Sequence, residues 1–128
     1  MTAAERVLVV GADDGPELPL IAEGGTARAV IWPGMGAALR SMHLLSLRPG
    51  GRTRRLRHPG EAVYYVIEGA GRVVDADLER GEQLVEGSMV HVDGATAYEL
   101  HAGDAGMELV GGPSPADPVL YESRAAAG

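Results

Sequence analysis

The chain has no cysteine, no lysine, no phenylalanine and a single tryptophan. Without cysteine there is no disulfide framework, no thiolate metal site and no cysteine nucleophile. Without lysine there is no side-chain amine for Schiff-base chemistry; all 11 basic residues are arginine, which stays protonated, binds anions and makes a poor proton shuttle. No apolar run approaches the roughly 18 residues a membrane span requires, and the opening "MTAAERVLVVGADDG" has no basic region leading into an apolar stretch. The expected setting is therefore cytoplasmic, with no membrane partner. A net charge of -7 leaves no overall basic face for phosphates, so nucleic acid is not an expected partner. The one basic cluster is Arg52, Arg54, Arg55 and Arg57.

What the chain does have is 19 glycines and 8 prolines set between short apolar runs. The runs are Val7–Val10, Ala27–Trp32, Ser41–Leu47, Val63–Ile67, Arg72–Val74, Gln83–Val85, Met89–Val92, Ala97–His101 and Met107–Val110. Turn signals separate them, among them Pro33-Gly34, Pro59-Gly60, Gly69-Ala-Gly71, Asp93-Gly94 and Gly103-Asp104. Many short strands with frequent turns predict an all-β, antiparallel β-sandwich or barrel. Only Gly34 to Arg40 invites a short helical turn. At 128 residues one domain over 1–128 is expected. It divides into N-terminal strands with a Trp-Pro-Gly turn (1–40), a barrel core (41–112) and a C-terminal extension (113–128) whose end frays.

Strand parity sorts the side chains. Leu56 and His58 share a face, with Arg54 if the strand runs back that far. Ala62, Tyr64 and Val66 share one face of the next strand, and Val63, Tyr65 and Ile67 the other. Both faces are apolar or aromatic, which predicts a strand covered on both sides. Glu99 and His101 face away from Tyr98. Parity does not decide whether His43, Leu45 and Leu47 or their alternates point inward. His43, His91 and His101 are read as structural.

The stretch "LRHPGEAVYYVIEGAGRV" resembles the first motif of the cupin superfamily. Gly50, Leu56, His58, Ala62 and Gly69 stand where that motif has its opening Gly, its two His, its Glu and its closing Gly. From Gly81 through "GSMVHVDGATAYEL" the chain resembles the second motif, with Thr96 at the Thr and Tyr98 at the third His. The resemblance covers roughly Ser41 to Gly112 and implies a jelly-roll barrel, a homodimer with a strand such as Val7–Val10 on its neighbour, and a small-molecule ligand. The family's four metal-ligand positions fall on Leu56, His58, Ala62 and Tyr98, and one imidazole is too few donors for a metal centre. The expectation is no cofactor; the alternative is a divalent metal bound through His58 with Glu61 or Tyr98.

Three functional readings follow. In the first, the chain is a metal-independent acid/base enzyme of isomerase, cyclase or dehydratase type, acting on a carbonyl-containing metabolite, with secondary metabolism suggested by the family. His58 is the acid/base and Tyr64 and Tyr98 donate to a developing oxyanion. Arg54 anchors an anion, and Trp32, Leu56 and Glu61 complete the substrate contacts. Trp32 and Met35 in "IWPGMG" read either as a lid touching a ligand or as a plug of an open end. The second reading is a non-catalytic small-molecule binder, and the third a metal-dependent cupin with rearranged ligands.

Overall fold

The computed structural model describes residues 7–122. Six strands form one antiparallel sheet: β1 (Ile21–Ile31), β2 (Met42–Thr53), β3 (Glu61–Asp75), β4 (Arg80–Val85), β5 (Met89–Val92) and β6 (Tyr98–Ser114). The order is β1-β2-β6-β3-β4, and β5 pairs with β3 beside the first half of that strand. Two single-turn 3₁₀ segments, Pro33–Met35 and Pro118–Tyr121, lie outside the sheet. Among the described residues, no helix is long and apolar enough to cross a membrane.

Strands expected as separate pairs are fused. Val63–Ile67 and Arg72–Val74 belong to one 15-residue β3, and Ala97–His101 and Met107–Val110 to one 17-residue β6. The glycines between them bend strands rather than end them. Register slips between Val66 and Glu68 and between Gly69 and Gly71, which is the signature of bulges that turn a long strand round a corner. Gly69 adopts φ 86°, and a Cβ there would lie 2.2 Å from the Gly106 carbonyl oxygen. Only glycine meets both demands.

Alternation sets the core. Ala27 and Ala29 of β1, His43, Leu45 and Leu47 of β2, Ala62, Tyr64 and Val66 of β3, Val90 and Val92 of β5, and Tyr98, Leu100, Met107 and Leu109 of β6 are all buried. The opposite face of β3 is not covered as expected: Val63, Tyr65 and Ile67 are 49%, 40% and 41% exposed. An antiparallel sheet can leave one face open, and this one does. Nor is Val7–Val10 a strand. It pairs with nothing among the described residues, and Val7 and Val9 are 92% and 93% exposed. The C-terminal extension is described through residue 122, and the end expected to fray lies outside the described residues.

Candidate functional site

β2 ends at Thr53, and the chain rejoins the ladder only at Leu56, which exchanges two 2.8 Å backbone hydrogen bonds with Tyr98. Those bonds fix Tyr98 opposite Leu56 and deliver His58 two residues later. The His58 carbonyl then accepts from the Ala95 N–H at 2.7 Å, tying the Pro59-Gly60 turn to the Asp93-Gly94 turn. Tyr64 arrives on the inward face of β3. The three polar rings meet in the middle of the core, with His58 3%, Tyr64 1% and Tyr98 1% exposed.

Their hydrogen bonds form a chain. Asp117 Oδ2 lies 2.9 Å from His58 Nδ1, His58 Nε2 lies 2.8 Å from the Tyr98 hydroxyl, and the Tyr98 and Tyr64 hydroxyls are 2.6 Å apart. With an ionised carboxylate and a neutral imidazole the directions follow, because a carboxylate only accepts. Nδ1–H donates to Asp117, the Tyr98 O–H donates to Nε2, and the Tyr64 O–H donates to the Tyr98 oxygen. Every member is satisfied, as a polar network inside a core must be. Burial, and then the neighbouring Tyr64, push the Tyr98 phenol far up. Burial pushes Tyr64 up to about 12. Both phenols therefore stay protonated and act as donors.

A second buried pair lies beside this chain. His43, with no exposed surface, places Nε2 2.7 Å from the Tyr121 hydroxyl. Its Nδ1 has no hydrogen-bond partner among the described residues and lies over Gly112, where a Cβ would come within 3.2 Å of it. A proton on Nε2 leaves a lone pair rather than an N–H without a partner, so Nε2–H donates to Tyr121. Burial, reinforced by nearby His58, lowers the His43 pKa to about 4. Trp32 also packs against Tyr121, ring centroids 5.2 Å apart.

The structure brings His58, Tyr64, Tyr98 and Leu56 together. It does not bring Arg54 or Glu61 to them. Arg54 is exposed, because the strand breaks after Thr53 and the break resets the parity on which its inward placement depended. Thr53 is the buried residue there, and its hydroxyl accepts from the Leu100 N–H at 3.0 Å. Glu61 is also exposed and pairs with His91 across the outer face at 3.0 Å; no bulge after Pro59 restores it. Trp32 sits on Tyr121 rather than on the His58 chain. His101 bonds Glu99 away from Tyr98.

Three residues of the site carried no functional reading in the sequence: His43, Asp117 and Tyr121. The usable signal was "ADPVLY", an Asp before Pro at the start of a turn. Asp117 Oδ1 does cap that turn, accepting from the Val119 N–H at 3.2 Å.

A cavity of about 280 Å³ runs along Val73, Val90 and Val92 and ends at Tyr98. Asp75 and Arg80 are among the residues that line it. Glu82, His91, Asp93 and Thr96 line it as well, so its wall is a mixture of apolar and charged or polar side chains.

No protein-family model and no curated protein matches the chain. Solved structures do. An RmlC-like cupin from Shewanella frigidimarina matches at TM-score 0.62 and 21% identity, over 78% of this chain and 84% of its own. The polyketide cyclase RemF from Streptomyces resistomycificus matches at TM-score 0.65 and 23% identity, over 94% of both chains. The fold is that of the cupins. Salicylate 1,2-dioxygenase from Pseudoaminobacter salicylatoxidans matches at TM-score 0.62 and 26% identity, over 81% of this chain and 28% of its own.

The cupin fold raises the question of a metal at the positions of Leu56, His58, Ala62 and Tyr98. The residues present do not fit one. Two are aliphatic, both ring nitrogens of His58 are already bonded, and among the described residues no three His, Cys, Asp or Glu side chains converge. Around three N or O donors are needed, and this chain offers a hydrogen-bonded network in their place.

Proposed function

We propose that this cupin binds a small carbonyl compound and moves a proton on it, as an enzyme of isomerase, cyclase or dehydratase type. The observation that carries the reading is the buried chain Asp117–His58–Tyr98–Tyr64, with contacts of 2.9, 2.8 and 2.6 Å. A base oriented by a carboxylate and bonded to a hydroxyl is the arrangement by which proton-transfer sites are recognised.

The resting bonds suggest the step. A substrate carbonyl oxygen reaching Tyr98 from the cavity draws the Tyr98 O–H away from His58 Nε2. That rotation frees the Nε2 lone pair beside the substrate. Nε2 takes a proton from the carbon next to the carbonyl, and the C–H electrons move onto the oxygen. The Tyr98 O–H, itself held by the Tyr64 O–H, donates to the resulting enolate. Asp117 stabilises the imidazolium through Nδ1–H. Return of the Nε2 proton to a different atom gives isomerisation, its delivery to a departing β-hydroxyl releases water and gives dehydration, and its delivery to the alkoxide formed when the enolate carbon attacks a second carbonyl gives ring closure. We place ring closure first, since the match to a cyclase runs nearly the full length of both chains.

The test is solvent-deuterium exchange followed by NMR on a panel of β-dicarbonyl and α-hydroxycarbonyl compounds. The native chain exchanges a panel member, and His58→Ala and Tyr98→Phe slow that exchange by about 10²-fold or more. Exchange by His58→Ala at the native rate defeats the proposal. A second reading, a non-catalytic binder, is favoured by the internal satisfaction of every group in the chain; it gives binding without exchange.

We also propose a homodimer. Val7, Leu8 and Val9 are apolar and exposed, and Val7–Val10 pairs with no strand among the described residues, while the outer face of β3 presents Val63, Tyr65 and Ile67. Both features favour burial against a second copy.

A further inference from the structure

One short segment caps both buried imidazoles. Asp117 meets His58 at 2.9 Å and Tyr121 meets His43 at 2.7 Å. The two residues are the N-cap and the last residue of the Pro118–Tyr121 turn. This turn belongs to no strand. Side chains hold it down: the two imidazole contacts, the Trp32 ring against Tyr121, and upstream the Ser114 hydroxyl on the Leu39 carbonyl at 2.8 Å. The Asp117 carboxylate divides its work, with Oδ1 closing the turn through the Val119 N–H and Oδ2 taking His58 Nδ1–H. The shape of the turn and its grip on His58 thus depend on one group.

The Nδ1 edge of His58 and the Nε2 edge of His43 both lie under this turn. For a ligand to reach them, something must move. The strands are locked in backbone ladders, whereas among the described residues the turn is anchored to the rest of the chain by side chains alone. Elements of low local stability are where ligand access and closure occur.

We infer that Asp117–Tyr121 is a latch that lifts as one unit to expose the two imidazoles, and that on reseating Asp117 sets the tautomer of His58. Asp117 is then a positioning residue: by holding the proton on Nδ1 it leaves the Nε2 lone pair for Tyr98 or a substrate. This second half rests on the acid/base reading of His58; the lifting does not.

Trp32, the only tryptophan in the chain, reports on the latch without a substrate. In Asp117→Ala, whose lost bonds go to His58 and Val119, acrylamide quenching of Trp32 rises about twofold or more, matching Tyr121→Leu, while far-UV circular dichroism stays native. Quenching that rises in Tyr121→Leu but not in Asp117→Ala means two independent contacts and overturns the latch. Nitrogen-15 NMR of the imidazoles reads the second half: His58 carries its proton on Nδ1 in the native chain, moves toward the Nε2–H form in Asp117→Ala, and is largely restored in Asp117→Asn, whose amide oxygen still accepts. An unchanged His58 tautomer overturns the positioning role. If Asp117→Ala does not fold, hydrogen exchange in the native chain decides. The Val119 and Leu120 amides open together and well before Leu109 in β6; exchange as slow as Leu109 overturns the latch. None of these measurements involves turnover, so each keeps its meaning even if no carbonyl compound of the panel exchanges.

Discussion

His43 is neutral in the folded chain down to about pH 4, against an ordinary value of 6.5. The unfolded chain binds a proton below pH 6.5 that the folded chain refuses, so stability rises with pH across that window and is lost as pH falls through it. Fully expressed, the shift corresponds to about 3 kcal/mol. Urea unfolding should show a midpoint that drops steeply between about pH 6.5 and pH 4, and His43→Gln should flatten that part of the profile; parallel profiles would detach the effect from His43. The sequence already contained half of this site. Period-two alternation put Tyr64 on the inward face of its strand, and motif spacing put His58 and Tyr98 on the same interior. It did not contain the other half. Asp117 reaches His58 across 59 positions and Tyr121 reaches His43 across 78, and no local pattern encodes such partners. Arg54 was misplaced for a related reason, since parity carries through a strand but not through the gap after Thr53.

At the scale of the element, the expected strands other than Val7–Val10 were right in place, and those now joined in β3 and β6 were wrong in length. Glycine pairs read as turns are corners within β3 and β6, and one sequence signal serves both uses. Two glycines of the first motif separate the physical reasons for glycine. Gly50 has φ 75° with nothing near the missing Cβ, whereas Gly69 combines φ 86° with the Gly106 carbonyl oxygen at 2.2 Å. Gly50→Ala should cost about 1 kcal/mol, the penalty of a left-handed conformation alone. Gly69→Ala should cost clearly more, because the ladder between β3 and β6 must also part. Chemical denaturation of the two variants side by side checks the order, and equal losses would show that the close approach relaxes freely.

For the whole molecule, the open face of β3 and the unpartnered Val7–Val10 predict association. Light scattering after size exclusion should give twice the mass of one chain, and Tyr65→Glu with Ile67→Glu should return it to one. A native chain that stays monomeric at micromolar concentration would remove the dimer. The polar centre itself joins residues 34, 40, 59 and 78 positions apart. Such closures come late, since each must wait for the large loop between its partners to be drawn in. A chain emerging from synthesis therefore has its β1–β2 hairpin long before it has this buried polar network, which closes only once Asp117 and Tyr121 have arrived.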